Sequence, residues 1–458
     1  MDIQNLIRAK VLSIISFGCA ISLHAQNWDT LASGLNWYPN VFYSDTIDNL
    51  LYAGGHFSTA GGITVKGIAK WNGTQWDSMG TLNISATSTN VKSILRYNGS
   101  IYALGGFYGL ANVAYLEKWN GSSWDSIARV PGALGMREYS NEIYVWGGFT
   151  QVGSQPINNI AKWNGSVWNS VANDTNFNAF INDIEFYNGE LYVIGGFYDS
   201  VSGKNQIAKW NGSRWVGLGN GIYNIGNDLW CLKGYNNELY VGGSFYESEG
   251  NAGNYIQKWD GSSWSDVGGG MAGQGNNPQS NATVEALQIH NGKLYACGVF
   301  LYSGGVFSPY FSIWDGSNWC SLGSNFSLPV TAFAWRSDTL HVGGSFTTID
   351  GLPYNRSAKW LGGNFVSACG NTSDVFEFSE QPSFTLYPNP TSDQVTVNAS
   401  SANPVTYCIY NTLGQKMEEG KFSNSTVIGV HRFPKGVYFF KFHIETTAGV
   451  YVKKLIIE

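Results

Sequence analysis

One phrase, Lys-Trp-Asn-Gly-x-x-Trp, recurs along this chain and restricts it to a repeat architecture. It stands as Lys70-Trp71-Asn72-Gly73 with Trp76, and as Lys118-Trp119-Asn120-Gly121 with Trp124. It returns at Trp163/Trp168, Trp210/Trp215 and Trp259/Trp264. A sixth copy reads Trp314-Asp315-Gly316 with Trp319, and a degenerate seventh reads Trp360-Leu361-Gly362-Gly363 ending on Phe365. The first tryptophans of successive copies are 48, 44, 47, 49, 55 and 46 residues apart. Before each copy lies an apolar run closing on glycines and Phe, such as Leu191-Tyr192-Val193-Ile194-Gly195-Gly196-Phe197. The other runs end at Phe57, Phe107, Phe149, Phe245, Phe300 and Phe346.

The physics of one unit follows from its turns. Asn-Gly supplies the positive φ angles of a type I′ turn, whose twist matches that of paired strands. Ile184–Phe186 and Leu191–Ile194, joined through Tyr187-Asn188-Gly189, read as one hairpin. Asn205–Trp210 and Trp215–Leu218, joined through Asn211-Gly212, read as a second. Four strands per unit result. The paired glycines let neighbouring sheets approach, and the tryptophans are expected to fill the wedge between units. A single unit cannot bury both faces of its sheet, but a ring of them can. Composition agrees: 57 of 458 residues are Gly, 18 are Trp, and only 13% are charged. The expected fold is all-β: a seven-bladed β-propeller over residues 26–370, followed by a small β-sandwich.

The count of outer strands raises a question of closure. Trp28-Asp29-Thr30-Leu31 resembles the outer strands that begin Trp76-Asp77-Ser78-Met79 and Trp124-Asp125-Ser126-Ile127, yet no inner strands precede it. The economical solution pairs Trp28–Ser33 with the blade begun by residues 331–360, which removes the seam between first and last repeats. Asn364-Phe365-Val366 is then displaced and can lead Cys369 back to Cys320 on the preceding outer strand, so a Cys320–Cys369 bridge is expected. Cys297 is a poor partner for Cys320, because an intervening strand holds them roughly 10 Å apart.

The order apolar-Tyr-apolar-x-Gly-Gly, variable loop, aromatic, turn and Trp resembles a kelch repeat over roughly residues 41–370. The tighter second turn departs from that pattern. The resemblance implies a propeller and no particular activity.

The chain's ends speak of export. Arg8 and Lys10, the apolar run Val11–Leu23 and the small Ala25 read as a secretory signal over residues 1–25. Gly18 before Cys19 also permits a lipoprotein signal, although Ser16-Phe17 departs from the usual Leu-small pair. No later run is long and apolar enough for a membrane helix, so no transmembrane segment is expected in the mature chain. Residues 371–383 are polar and aperiodic and read as a linker. Beyond them lie Tyr387-Pro388-Asn389-Pro390, a Leu-Gly turn at Gly414, Pro434-Lys435-Gly436-Val437-Tyr438 and the terminal Lys453-Lys454-Leu455. Residues 384–458 closely resemble the type A sorting domain of the type IX secretion system found in Bacteroidetes. The resemblance implies periplasmic passage, transfer across the outer membrane by the type IX machinery, and a secreted or cell-surface product. In that family the domain is usually removed, and the cargo is released or attached to surface glycolipid.

Other classes find less support. A net charge of −6 and no basic run longer than Lys453-Lys454 argue against nucleic acid. The five cysteines beyond the signal, Cys231, Cys297, Cys320, Cys369 and Cys408, form no CxxC, and neither a zinc framework nor a cofactor motif is found. The tryptophan pairs are read as core and not as a sugar-stacking array. The lysine before each Trp (Lys70, Lys118, Lys162, Lys209, Lys258, Lys359) is read as solvated or cation–π. His56, after Gly54-Gly55, is the best metal or acid–base candidate, against a structural role at a strand end. No catalytic set is assigned. The expected binding surface is formed by loops after the Gly-Gly-x-Phe strands, Ser58–Lys66, Thr150–Asn158, Tyr198–Lys204, Tyr246–Asn254 and Leu301–Ser308. The leading expectation is a non-enzymatic glycan- or protein-binding module. The alternatives are an extracellular polysaccharide hydrolase or lyase, which needs a carboxylate pair facing one cleft, and a structural surface component.

Overall fold

The structure, a computed structural model, describes residues 28–82, 89–107, 113–171, 180–199, 204–222, 229–247, 250–277, 281–361, 384–399, 403–412, 414–444 and 450–458. The expected export signal with Cys19, the expected linker 371–383, Asn364–Val366 and Cys369 lie outside the described residues. The described residues form two compact units, one on each side of residue 370.

Two kinds of turn build each repeat of the first unit. In the first hairpin Tyr97 pairs with Ser100 across Asn98 and Gly99, whose φ angles are +46° and +79°. Asn188-Gly189 and Asn291-Gly292 repeat this type I′ geometry. The second hairpin differs from the sequence expectation. Trp71 pairs with Trp76, so four residues form its loop. The Asn72 Oδ1 accepts the backbone N–H groups of Thr74 (2.9 Å) and Gln75 (3.0 Å), and only Gly73 has positive φ, +110°. Asn120, Asn164, Asn211, Asp260 and Asp315 cap their loops in the same way. The Asn here acts through its side chain as an Asx cap, a role that Asp fills equally well in two copies.

These hairpins assemble into seven antiparallel four-stranded sheets. Sheet I comprises Pro39–Asp45, Leu50–Gly55, Ile68–Trp71 and Trp76–Ser78. Sheets II to VI follow in chain order, with first strands Thr89–Tyr97, Ala133–Tyr139, Phe180–Tyr187, Leu229–Tyr235 and Thr283–His290. Sheet VII takes three strands, Val330–Arg336, Thr339–Gly344 and Ser357–Trp360, from near the end of the unit and its fourth, Trp28–Thr30, from the start. Trp28 pairs with Trp360, as the closure argument expects. Their rings meet at 4.9 Å, and the Tyr354 hydroxyl donates to the Trp28 carbonyl at 2.9 Å.

The first strand of each sheet packs on that of the next, and Val330–Arg336 packs on Pro39–Asp45, so the sequence of sheets is cyclic. The paired glycines make this approach feasible. A Cβ on Gly54 would lie 2.6 Å from Val91 in sheet II, and one on Gly343 would lie 2.4 Å from Pro39 in sheet I. Every first strand also carries one register shift, which skips Asn40, Lys92, Leu134, Asn182, Trp230, Glu285 or Thr331. Four of these residues reach the equivalent backbone carbonyl of the next sheet: Asn40 to Val91 (2.9 Å), Lys92 to Ala133 (3.0 Å), Asn182 to Leu229 (2.7 Å) and Thr331 to Pro39 (2.7 Å). The free edge of a first strand is thereby hydrogen-bonded by its neighbour, and the last of these bonds joins sheet VII to sheet I.

The tryptophans do for the fourth strands what these residues do for the first. The indole N–H of Trp76 donates to Leu31, Trp124 to Met79, Trp264 to Leu218 and Trp319 to Val267, at 2.7–3.1 Å. Each accepting carbonyl follows the fourth strand of the preceding sheet.

In the second unit, Phe384–Tyr387, Gln394–Ala399 and Ser425–Gly429 form one antiparallel sheet. Lys416–Phe422, Val405–Asn411, Gly436–Ile444 and Val450–Ile457 form another, in that order. One apolar core, containing Val395, Val397, Ile409, Phe440 and Leu455, draws on both.

Candidate functional site

A cavity of about 350 Å³ opens where strand ends of sheets I and II meet. It is lined by Asn36, Trp37, Tyr38, Asn40, His56 and Asn90. Three chain segments bring these residues together: the approach to the first strand of sheet I, the exit of its second strand after Gly54-Gly55, and the start of sheet II. Trp37 is 46% exposed, and its ring lies 5.6 Å from that of Tyr38 at 32°. An exposed indole beside a phenol is a flat apolar platform with polar edges. Asn36 is committed to the fold, bonding Ser58 and Thr59. Asn40 and Asn90 are only half committed. The Asn40 Nδ2 donates to the Asn90 Oδ1 (2.5 Å) and to the Val91 carbonyl, which leaves Asn40 Oδ1 as an acceptor and Asn90 Nδ2 as a donor without a partner among the described residues. Arg356 sets its guanidinium 5.3 Å from the centroid of the Trp37 ring.

Sequence reasoning singled out His56, and the structure places it in this cavity. It missed Trp37, Tyr38, Asn40 and Asn90. The signal available was an aromatic pair ahead of Pro39 in a connection that no other repeat reproduces.

A second cavity, of about 320 Å³, lies between sheets IV and V. Several of its polar groups are already engaged, although the Tyr187 hydroxyl is buried without a hydrogen-bond partner among the described residues. Lys209 bonds Glu190 at 2.9 Å, the Tyr192 hydroxyl donates to the same carboxylate, and Asp260 caps its own loop. The Lys209 ammonium holds the Glu190 carboxyl below its ordinary pKa. The same arrangement corrects the reading of the repeated lysines. Lys162 pairs with Glu142 at 2.8 Å, Lys258 with Glu238 at 2.9 Å and Lys359 with Asp29 at 3.0 Å, so these lysines face carboxylates on adjacent strands.

One carboxylate pair stands on a first strand, Asp183 and Glu185 of sheet IV. Arg137 of sheet III lies 3.8 Å from Asp183 and also pairs with Glu185, while Lys233 of sheet V lies 3.2 Å from Glu185. Asp183 accepts the backbone N–H groups of Leu232 and Ile184, both at 2.9 Å. Burial raises the Asp183 pKa against Arg137, and burial lowers that of Lys233 to about 8. A pair neutralised from both sides ties three sheets together. Among the described residues, no three His, Cys, Asp or Glu side chains converge to hold a metal.

In the second unit the motif residues gather on the terminal strand, Val450–Ile457. Asn389, between Pro388 and Pro390, donates from Nδ2 to the Lys454 carbonyl (2.8 Å) and accepts the Ile456 N–H at Oδ1 (2.9 Å). Thr391 continues the pattern: its N–H bonds the Ile456 carbonyl, and its carbonyl takes the Glu458 N–H. The motif thus covers the free edge of the last strand, which would otherwise expose unpaired backbone groups. Gly436 pairs with Ile457 across the other edge. Lys453, Lys454 and Tyr387 are exposed, and Gly414 lies apart in the turn after Asn411, with φ +78°.

Residues 385–458 match the secretion system C-terminal sorting domain. This tail marks the chain for export to the cell surface or for secretion, and implies contact with the type IX machinery. No helix among the described residues is long and apolar enough to cross a membrane. Among curated proteins, none matches the chain. Two solved structures align with much of the chain. A GH74 enzyme of Niastella koreensis aligns at 13% identity and a TM-score of 0.44, covering 93% of this chain and 67% of that one. The β-propeller domain of the Trilobed protease of Pyrococcus furiosus aligns at 10% identity and 0.41, covering 71% and 96%. At such scores neither likeness transfers an activity.

Proposed function

We propose that the chain is an exported carbohydrate-binding protein, with residues 1–25 as signal, 26–370 as a seven-bladed β-propeller, 371–383 as linker and 384–458 as a sorting β-sandwich. The cyclic packing of seven four-stranded sheets supports the blade count. A ring of six or eight sheets in an experimental structure would overturn it.

One observation carries the binding reading: the Trp37–Tyr38 platform lies beside an unused amide acceptor and an unused amide donor. A pyranose presents an apolar C–H face and a rim of hydroxyls that both donate and accept. Adjacent hydroxyls need the pairing that Asn40 Oδ1 and Asn90 Nδ2 provide. None of the six lining residues is a carboxylate, so the site suits holding a sugar better than hydrolysing one.

The test is a glycan array probed with the purified full chain. Wild type should bind a saccharide class, and Trp37→Ala should lose that binding at least tenfold with an unchanged melting temperature. Absence of any saccharide binding, or equal binding by Trp37→Ala, sinks the reading.

A further inference from the structure

Arg356 brings a positive charge beside Trp37, one of the residues that line the cavity. It precedes the third strand of sheet VII, and its backbone is fixed by hydrogen bonds from its N–H to the carbonyls of Phe346 and Tyr354. The side chain thus leans over Trp37 from the sheet that closes the ring. Three other arginines meet acids, Arg96 with Asp45 and Asp48, Arg137 with Asp183 and Glu185, and Arg432 with Glu418, whereas Arg336 spends its donors on the Asn49 and Asn72 carbonyls. Among the described residues Arg356 meets no carboxylate, and its guanidinium makes one hydrogen bond, from Nη1 to the Ser345 carbonyl at 3.3 Å. A guanidinium carries five N–H donors in a planar fork. The other donors of Arg356 have no partner among the described residues, and the guanidinium stands beside Trp37, whose cavity has no acid in its lining.

We infer that the Trp37 cavity selects glycans carrying an anionic group, a uronate carboxylate or a sulfate ester, with Arg356 as its counter-ion. This rests on the carbohydrate reading above. The sugar ring lies against the Trp37–Tyr38 platform, its hydroxyls meet Asn40 and Asn90, and its anion meets the guanidinium fork. A planar fork matches a carboxylate or sulfate with two parallel N–H···O bonds, which a lysine cannot reproduce. The contact stays partly open to water, so its strength falls as salt rises.

The experiment is titration calorimetry of the full chain with three oligosaccharides of equal length: a polyuronate, a sulfated galactan and a neutral glucan. Wild type should prefer one of the acidic ligands over the neutral one by roughly ten- to a hundredfold, the range of a charge-assisted hydrogen bond. Which acidic ligand binds distinguishes uronate from sulfate. Arg356→Gln should lower affinity for the preferred acidic ligand far more than for the neutral one and so erase that preference, and Arg356→Lys should restore only part of it. Melting temperatures of both variants guard against loss of the fold. Equal affinity of wild type for acidic and neutral ligands, or a uniform loss for all three in Arg356→Gln, overturns the inference alone. Failure of every saccharide to bind overturns the carbohydrate reading and this inference with it.

Discussion

His341 occupies the position that Tyr52, Tyr102, Tyr144, Tyr192, Tyr240 and Tyr295 fill in the other second strands. It is 2% exposed, with Nδ1 bonded to the Thr339 carbonyl at 2.9 Å. Burial lowers its pKa from 6.5 to about 4, and the nearby Arg336 and Lys359 charges act in the same direction. A depressed histidine contributes stability above its unfolded pKa and loses it as pH falls toward the folded value. Unfolding should therefore become easier between pH 6.5 and 4 by about 2 kcal/mol at pH 5. His341→Tyr restores the residue of the other repeats and should flatten most of this slope in urea titrations at pH 7 and 5. A smaller slope should remain from His290, whose pKa burial also lowers. An unchanged slope in the variant would refute the assignment to His341. The indole donors act at the same scale: each joins two sheets by one hydrogen bond, so a repeat can vary its loops freely while Trp stays fixed.

At the scale of elements, ring closure is the decisive event, and it extends to Cys320. That residue is disulfide-bonded, whereas Cys231, Cys297 and Cys408 are free. Cys297 and Cys320 are separated by the strand Phe311–Trp314, and burial pushes the Cys297 thiol well above its ordinary pKa. We propose Cys369, which lies outside the described residues, as the partner of Cys320. Peptide mapping of non-reduced protein should recover a Cys320–Cys369 fragment; recovery of free Cys369 would remove the bridge. Much at this scale was legible in the sequence. The four-strand unit follows from repeated turns, and Trp28-Asp29-Thr30 betrays itself as a fourth strand by resembling Trp76-Asp77-Ser78. What was misread shows the limit of pattern. Asn-Gly denotes two different turns here, because Asn serves one through its backbone φ and the other through its side-chain oxygen. The short ribbons, such as Thr59–Ala60 with Ile63–Thr64, and the Trp37 platform fall in connections without a repeat partner. Their meaning comes from residues of sheets I, II and VII that sequence spacing does not bring together. His56 was visible only because it follows the repeated glycines.

At the scale of the whole molecule, the two units have separate reasons to fold. The apolar core of the tail is made entirely of residues between Phe384 and Ile457, while the clusters of the first unit lie between Trp28 and Ala358. The first unit closes on itself through Trp28–Trp360 pairing and the Thr331–Pro39 bond, and neither uses a residue of the tail. The tail in turn hydrogen-bonds its own terminal strand through Asn389 and Thr391. An export mark built this way can be present or removed without disturbing the cargo. Deleting residues 384–458 should therefore leave the melting temperature of the first unit unchanged. The same deletion should hold the protein in the periplasm of a cell that exports the full chain, because the sorting domain has gone while the proposed N-terminal signal remains. Fractionation into periplasm, surface and medium reads this directly. Accumulation of the truncated chain at the surface or in the medium at the full-length level would show that export does not depend on the tail. A lowered melting temperature would show that the units share stabilisation.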